Sequence, residues 1–314
     1  MSDYTFSVII PTLDREEKLL ECTKRLSEQT RQPEEVIIVD DGDLDIGVQT
    51  KIRETLGGTE LRITSSDGPP GTSTARNTGI RTASSNIIVT LDDDVWLGAE
   101  HLERLEHLYE QYDSDTLAGI GVAGRTDSLT STRRRLVDIH NRIFYRINSG
   151  WRINSAGFQK ASIVSEPAES EWISGGVASY KRAVLLDHPF RHWEGGREVH
   201  EDIEICWRLK NEGYHFIVDP ELPTNHSKGE RHESGLKTGM KKGRNRVRMF
   251  RENGRLRHLP LFVWGCIGLI IAHLVHPFIS ESEGRYRFIA GIGVILGVIQ
   301  QFPSIFYHSA KSSE

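Results

Sequence analysis

Short apolar runs alternate with helix-like segments through the first 120 residues. Phe6-Ser7-Val8-Ile9-Ile10 predicts a strand stopped by Pro11, and Val36–Val39, Leu61–Thr64 and Asn86–Leu91 predict three more. Between them the periodicity predicts helices from Asp14 to about Glu28, from Val48 to Leu56 and from Thr74 to Ala83. Asp14 stands as the cap of the first helix, with Glu17 in the capping-box position. This alternation predicts an α/β fold, a parallel sheet with helices on both faces whose ligands gather at the carboxyl ends of the strands. After a strand at Gly119–Ala123 the pattern loosens. Arg133–Trp151 is basic and partly amphipathic, and Arg152–Glu171 reads as a mobile loop. Val177–Tyr180 and Phe216–Val218 read as strands, and Ile203–Glu212 as a helix.

The last third changes character. Leu259–Ile279 and Phe288–His308 hold no charged residue apart from His, and each is long enough to cross a hydrocarbon layer of about 30 Å as a helix. Gln300, Gln301 and Pro303 interrupt the second, so a re-entrant or interfacial helix stays open there. The net charge of −5 conceals an asymmetry: residues 228–258 hold eleven Lys/Arg against three Glu. Such a run faces phosphates, either of nucleic acid or of anionic lipid, and the adjoining apolar segments favour lipid and exclude nucleic acid. Leu236–His258 is therefore expected as a basic amphipathic helix on the anionic leaflet. The positive-inside rule puts the N-terminal domain in the cytoplasm, at a cell membrane crossed by both apolar segments. The expected organisation is an α/β domain at 1–227, a basic juxtamembrane segment at 228–258, two membrane helices at 259–308 and a polar tail at 309–314. Met1 to Thr5 lead straight into a strand, so no leader is expected. Cys22, Cys206 and Cys266 are scattered, without metal-ligand spacing, and read as reduced.

Candidate chemistry centres on Asp92-Asp93-Asp94, where a buried strand runs directly into three acids. Carboxylates so placed repel one another and are costly to desolvate unless a cation accompanies them. Hard oxygen ligands at a strand end suit Mg²⁺ or Mn²⁺, ions that bridge protein carboxylates to phosphates. A dinucleotide fold would place G-x-G-x-x-G after the first strand, but Pro11-Thr12-Leu13-Asp14-Arg15 stands there, and no P-loop sequence occurs.

Five segments in order carry a resemblance: Val8-Ile9-Ile10-Pro11-Thr12, Val39-Asp40-Asp41-Gly42, Ala75-Arg76-Asn77-Thr78-Gly79-Ile80, Leu91–Asp94, and Glu201-Asp202-Ile203-Glu204-Ile205-Cys206-Trp207-Arg208-Leu209. Together they resemble the inverting family 2 glycosyltransferases of GT-A fold, over roughly residues 5–227. With the apolar tail, the chain is similar to archaeal, including haloarchaeal, enzymes that build dolichol-phosphate-linked glycans for N-glycosylation. The resemblance implies a nucleoside diphosphate sugar as donor, with Pro11, Thr12, Asp40, Asp41, Arg76, Asp92 and Asp93 around it. It implies Asp94 and Asp92 as metal ligands, with His226 as a third. Asp40 would accept from a ring N–H of the base, which suits uracil and favours a UDP-sugar; a β-turn at a strand end explains it otherwise. Arg76 would pair with phosphate or brace the acids. Asp202, with Glu201 beside it, would be the general base, since adjacent acids raise one another's pKa. Trp172, Gly175 and Gly176 would lie between donor and acceptor. Processive synthases of the family carry Q-x-x-R-W; Lys241-Lys242-Gly243-Arg244-Asn245-Arg246 stands here instead, which argues against polymer synthesis. The acceptor expected is a hydroxyl of a lipid-linked glycan. Direct transfer to dolichyl phosphate and a catalytically inactive membrane scaffold remain the alternatives, and self-association is left open.

Overall fold

The computed structural model describes residues 3–123, 131–193, 198–226, 233–279 and 284–309. In chain order the elements are β1 (Phe6–Thr12), α1 (Glu16–Ser27), β2 (Glu35–Asp40), α2 (Ile46–Leu56), β3 (Glu60–Thr64), α3 (Thr72–Thr82), β4 (Ile87–Leu91), β5 (Val95–Leu97), α4 (His101–Tyr112) and β6 (Leu117–Val122). Then come α5 (Ser131–His140) with a π-helical turn at Asn141–Tyr145, β7 (Arg152–Ile153), β8 (Gln159–Lys160), β9 (Ala168–Ser170), β10 (Val177–Lys181), α6 (Arg182–Asp187), α7 (Glu201–Asn211), β11 (His215–Asp219) and β12 (Thr224–His226). The chain closes with α8 (Gly235–Asn253), α9 (Leu259–Ile279), α10 (Gly284–Gln301) and α11 (Ser304–Ser309). These form two compact units, one of Met1–Gly124 with Val164–Gly229, the other of Arg125–Ile163 with Glu230–Glu314. The expected single domain at 1–227 is thus interrupted, because residues 125–163 cluster with the C-terminal segment.

The first unit is built on an eight-stranded sheet of order β3-β2-β1-β4-β10-β6-β11-β9. β1, β2, β3 and β4 are parallel, β10 runs antiparallel to both β4 and β6, and β9 forms an antiparallel edge on β11. Strands sandwiched between helices bury both faces, so their sequences are continuous apolar runs. Val8, Ile9, Ile10, Val36, Ile37, Ile38 and Val39 are all fully buried. The chain reverses direction in the sheet between β1 and β4, the switch point where an open α/β sheet leaves a crevice at its carboxyl edge. At Gly79 of α3 a Cβ would fall 2.4 Å from Ile9 Cγ2, so only glycine lets α3 settle this closely on β1.

Several expectations change. Asp14 does not cap α1: its backbone is left-handed (φ 53°), the N-cap position falls on Arg15, and Arg15 makes no side-chain cap. Asp45 caps α2 instead, accepting from Gly47 N (2.7 Å) and Val48 N (3.3 Å). α4 was not anticipated, although Leu102, Leu105, Leu108 and Tyr109 give it a buried face. Arg152–Glu171 is no structureless loop: it holds β7, β8 and β9 and buries Ile153, Ala156 and Phe158.

In the second unit, α8 and α10 are in backbone contact. Cβ atoms at Gly235, Gly239 and Gly243 would fall 2.5, 2.0 and 2.4 Å from the carbonyl oxygens of Tyr286, Ala290 and Val294. Gly293 and Gly297 meet Leu236 O and Met240 O in the same way, at 2.3 Å each. The basic helix expected on the leaflet is locked to the second apolar helix by glycines spaced four apart on each, the pattern that lets helix backbones approach. Gly291 meets His273 and Leu274, packing α10 against α9. Trp264 Nε1 donates to Ile143 O (2.9 Å) and His140 Nε2 lies 2.9 Å from Gly268 O, tying the α5 segment to α9.

Candidate active site

The strand ends bring the first set of residues together. Thr12 ends β1 in register with Asp40 at the end of β2, and Asp41 N donates to Thr12 O (3.1 Å). Pro11 sits one position earlier, half-buried opposite Val39. Asp40 accepts from Gly42 N and Leu44 N, 3.0 Å each, so it shapes its own turn, as Asp at a strand end does. Asp41 reaches farther, accepting from Ser66 N (3.2 Å) and Gly71 N (3.3 Å), and so fixes the Gly-Pro-Pro-Gly loop ahead of α3.

The three consecutive acids divide between two sides, Asp93 and Asp94 toward Arg15 and Asp92 toward Arg76. Asp93 is buried and fully used: Thr12 Oγ1 donates to one oxygen (3.0 Å) and Arg15 to the other (2.8 Å). Asp94, also buried, faces the cations of α1, with Arg15 at 3.4 Å and Lys18 at 3.8 Å. Asp92 turns toward α3 and pairs with Arg76 through Oδ1 (2.9 Å). It keeps 37% of its side-chain surface open. Burial pushes its carboxyl pKa up, and the Arg76 charge opposes the push.

Arg76 joins the acids to the remainder of the site. Its guanidinium is 1% exposed, donates to Asp92 Oδ1, Gly175 O (2.9 Å) and Glu201 Oε1 (3.2 Å), and lies over the Phe190 ring. Burial opposes its charge, but Asp92 and Glu201 outweigh that and keep it ionised. The structural bridge and the brace on the acids are thus the same contact. Gly175 N in turn donates to Asp202 Oδ2 (3.0 Å), and Ile203 N to Asp202 Oδ1 (2.8 Å). A Cβ at Gly175 would lie 2.9 Å from Asp202 Cβ, so the glycine is what admits the carboxylate. Gly176 O accepts from Asp92 N (2.9 Å), extending the β10–β4 ladder by one residue. Trp172 is half-buried upstream, with its backbone N donating to Ser170 Oγ (3.1 Å).

Asp202 has the property a base needs. Burial first, and the neighbouring Glu201 charge second, raise its carboxyl pKa to about 6, against the two backbone N–H bonds and Arg76, which lower it. His200, just before α7, holds a left-handed backbone (φ 74°), a strained conformation that turns the chain sharply into the helix carrying both acids.

Some residues were not legible in advance. Arg15 and Lys18 answer two of the three acids. Glu198 is buried against the start of α3, accepting from Ser73 N (2.6 Å) and Trp193 N (3.3 Å), with His192 Nδ1 at 3.2 Å. Burial raises its carboxyl pKa. Residues 194–197, which lead toward α7, lie outside the described residues. His226 ends β12 opposite Val95, one residue from Asp94; its side chain lies outside the described residues.

Among the described residues no three His, Cys, Asp or Glu side chains gather as a preformed metal cage. The donor chemistry still fits Mg²⁺ or Mn²⁺, which take one or two protein carboxylates and complete their shell from phosphate and water. Asp92 supplies a solvent-open carboxylate whose Oδ1 alone is bonded to Arg76.

Comparison with known proteins agrees with this architecture. The chain is 27% identical over 113 residues to glycosyltransferase GlyG of Streptococcus pneumoniae, covering 36% of this chain and 38% of that protein. It is 31% identical over 118 residues to glycosyltransferase AglE of Haloferax volcanii, covering 37% and 36%. The matches span less than half the length of these relatives. Among solved structures, mannosyltransferase PcManGT of Pyrobaculum calidifontis, in complex with GDP-Man and Mn²⁺, superposes with a TM-score of 0.59 at 16% identity over 95% of this chain and 87% of that one. Staphylococcus aureus TarS with UDP-GlcNAc gives 0.52 at 17% identity over 92% and 89%. At these identities the likeness is one of fold, and the fold is GT-A. The family model for glycosyl transferase family 2 matches residues 7–186, more than half of the chain and every strand from β1 to β10, and the chain belongs to that family.

Proposed function

We propose that this protein transfers a hexose or hexuronic acid from a nucleoside diphosphate sugar to a hydroxyl of a lipid-linked glycan, inverting the anomeric centre. The observation that carries this reading is the continuous line of contacts Asp92–Arg76–Glu201, with Asp202 held beside it by Gly175. It sets a diphosphate-side acid and a base of raised pKa on one rigid frame. Asp202 takes the proton of the acceptor hydroxyl as its oxygen attacks the anomeric carbon. With Asp202 as the base and the neighbouring Glu201 tied to Arg76, the displacement is single and in line. Asp40 and Asp41 recognise the base of the nucleotide, with UDP favoured, while Pro11, Thr12 and Asp93 shape the floor beneath it. Asp92 and Asp94, with His226 as the third ligand, would hold Mg²⁺ or Mn²⁺, which when bound would neutralise charge on the departing diphosphate. Arg76 fixes Asp92 for that task and keeps Glu201 from turning onto the base. Gly175, Gly176 and Trp172 line the acceptor side.

Membrane attachment on the cytoplasmic face, through the two apolar helices, brings the enzyme to its lipid-linked acceptor and raises the effective concentration. Both helices satisfy the length and hydropathy of membrane segments (Leu256–Val275 and Gly284–Phe306). The test is transfer from a panel of UDP- and GDP-sugars into an extracted lipid fraction by detergent-purified protein, with Mg²⁺, Mn²⁺ or chelator. Label entering lipid only with wild type and metal, as the inverted anomer, is expected. Equal transfer by Asp202→Asn would remove the base, and failure to bind any nucleotide sugar would remove the donor.

A further inference from the structure

Apolar length alone reads α9 and α10 as two membrane crossings, but the partner of α10 speaks against it. The contact between α8 and α10 runs from Tyr286 to Val298, about 18 Å at 1.5 Å per residue and more than half of a hydrocarbon layer of about 30 Å. Two helices in backbone contact over that length share one depth. α8 carries seven Lys/Arg and a single Glu, and Lys237, Lys241, Lys242 and Arg244 fall in the contact segment itself. Lys237 and Lys241 share one acid, Glu233. If α10 crossed the bilayer, α8 would carry these cations into hydrocarbon, where each is costly.

The exposed surface of the same unit points to another arrangement. Val263, Ile267 and Ile271 form an exposed apolar line along α9, four residues apart. Ile292, Leu296 and Ile299 form one along α10, and Leu136, Ile139 and Ile143 one on the α5 segment bonded to α9. Apolar lines on three helices beside a cationic fourth are the composition of a surface-lying assembly, with acyl chains on one side and anionic headgroups at the cations of α8 that reach solvent, Lys237 foremost.

We propose that α9 and α10 lie along one leaflet of an anionic membrane as a monotopic hairpin, held at headgroup depth by the cationic helix α8, and do not cross it. This rests on the membrane attachment proposed above. The test uses the full chain in sealed inside-out vesicles from expressing cells, with a membrane-impermeant maleimide. Arg285→Cys reports the start of α10, and Lys51→Cys, exposed on α2, marks the side of the sugar-transferring unit. The three native cysteines are buried, which keeps background low. The expected result is that both variants label in intact vesicles. Labelling of Arg285→Cys only after the vesicles are opened, with Lys51→Cys labelled before, would overturn the monotopic hairpin and leave attachment standing. Failure of the purified chain to float with phosphatidylcholine–phosphatidylglycerol vesicles would overturn attachment itself.

Discussion

Replacing Asp202 by Asn should abolish transfer and make the protein more stable. The carboxyl pKa is raised from 3.8 to about 6 in the folded protein, so folding favours the protonated form. The sign follows directly. Below pH 3.8 the group is neutral in both states and costs nothing. As pH rises through the interval from 3.8 to 6 the unfolded chain ionises first, and above 6 the folded protein carries the full penalty of about 3 kcal/mol, at 1.36 kcal/mol per pK unit. Asparagine removes that penalty. It accepts only through Oδ1, so it keeps one of the bonds from Gly175 N and Ile203 N and loses the other, at about 1–2 kcal/mol. The net gain is about 1–2 kcal/mol, or roughly 1.5–3 °C in Tm for a chain of this size. Thermal unfolding of wild type and Asp202→Asn in detergent, at pH 4 and pH 7.5, checks it. The gain should be present at pH 7.5 and give way at pH 4 to a loss of about 0.5–1.5 kcal/mol, because little ionisation penalty is left there to offset the missing bond. An Asn variant that melts at or below wild type at pH 7.5, or gains equally at both pH values, would refute the account of the base.

In wild type, kcat/KM should rise with pH through about 6 and then level off, because Asp202 must be deprotonated to act; a profile flat from pH 5 to 8 would contradict this. Gly175→Ala should lower kcat about 10²-fold with little change in Tm, since the added Cβ displaces Asp202 by less than an ångström, measured as single-turnover transfer. Arg76→Met should cost about 3–5 kcal/mol in urea unfolding, because it strips Asp92, Glu201 and Gly175 O of one buried partner. Glu35→Ala should destabilise by about 1–3 kcal/mol, leaving the buried donors Ser7 Oγ and Ser85 N without their carboxylate, with unaltered donor binding by calorimetry.

The sheet was readable because buried parallel strands are uninterrupted apolar runs ended by acids or Pro, a pattern composition and spacing expose. Positions that must lack a side chain were partly readable: Gly79 and Gly175 stood inside motifs, but what each admits, Ile9 or Asp202, depends on distances across the fold. Asp14 looked like a cap and is a left-handed turn residue packed on Gly42, because neighbouring strand ends, and not local helix chemistry, decide its backbone. Arg15, Lys18 and Glu198 were invisible as site residues for the same reason, since Asp93, Asp94 and Ser73, the partners that place them in the site, lie 76 to 125 residues away. The glycines of α8 and α10 were legible as spacing but not as a pair, because nothing in a sequence says which helices touch.

The antiparallel strand β10 has a consequence for how this chain can vary. Its parallel neighbours reach the crevice with their last residues, whereas β10 reaches it with its first, so Gly176 meets Asp92 through ladder bonds alone. The whole stretch from the end of β6 to the start of β9, including residues 125–163 of the other unit, is strung between strands whose register is already settled. Segments so inserted can lengthen, shorten or be exchanged without shifting the acids against the base. Differences in length among relatives should therefore concentrate in that insertion, while the interval between Asp92 and Gly176 in space stays constant.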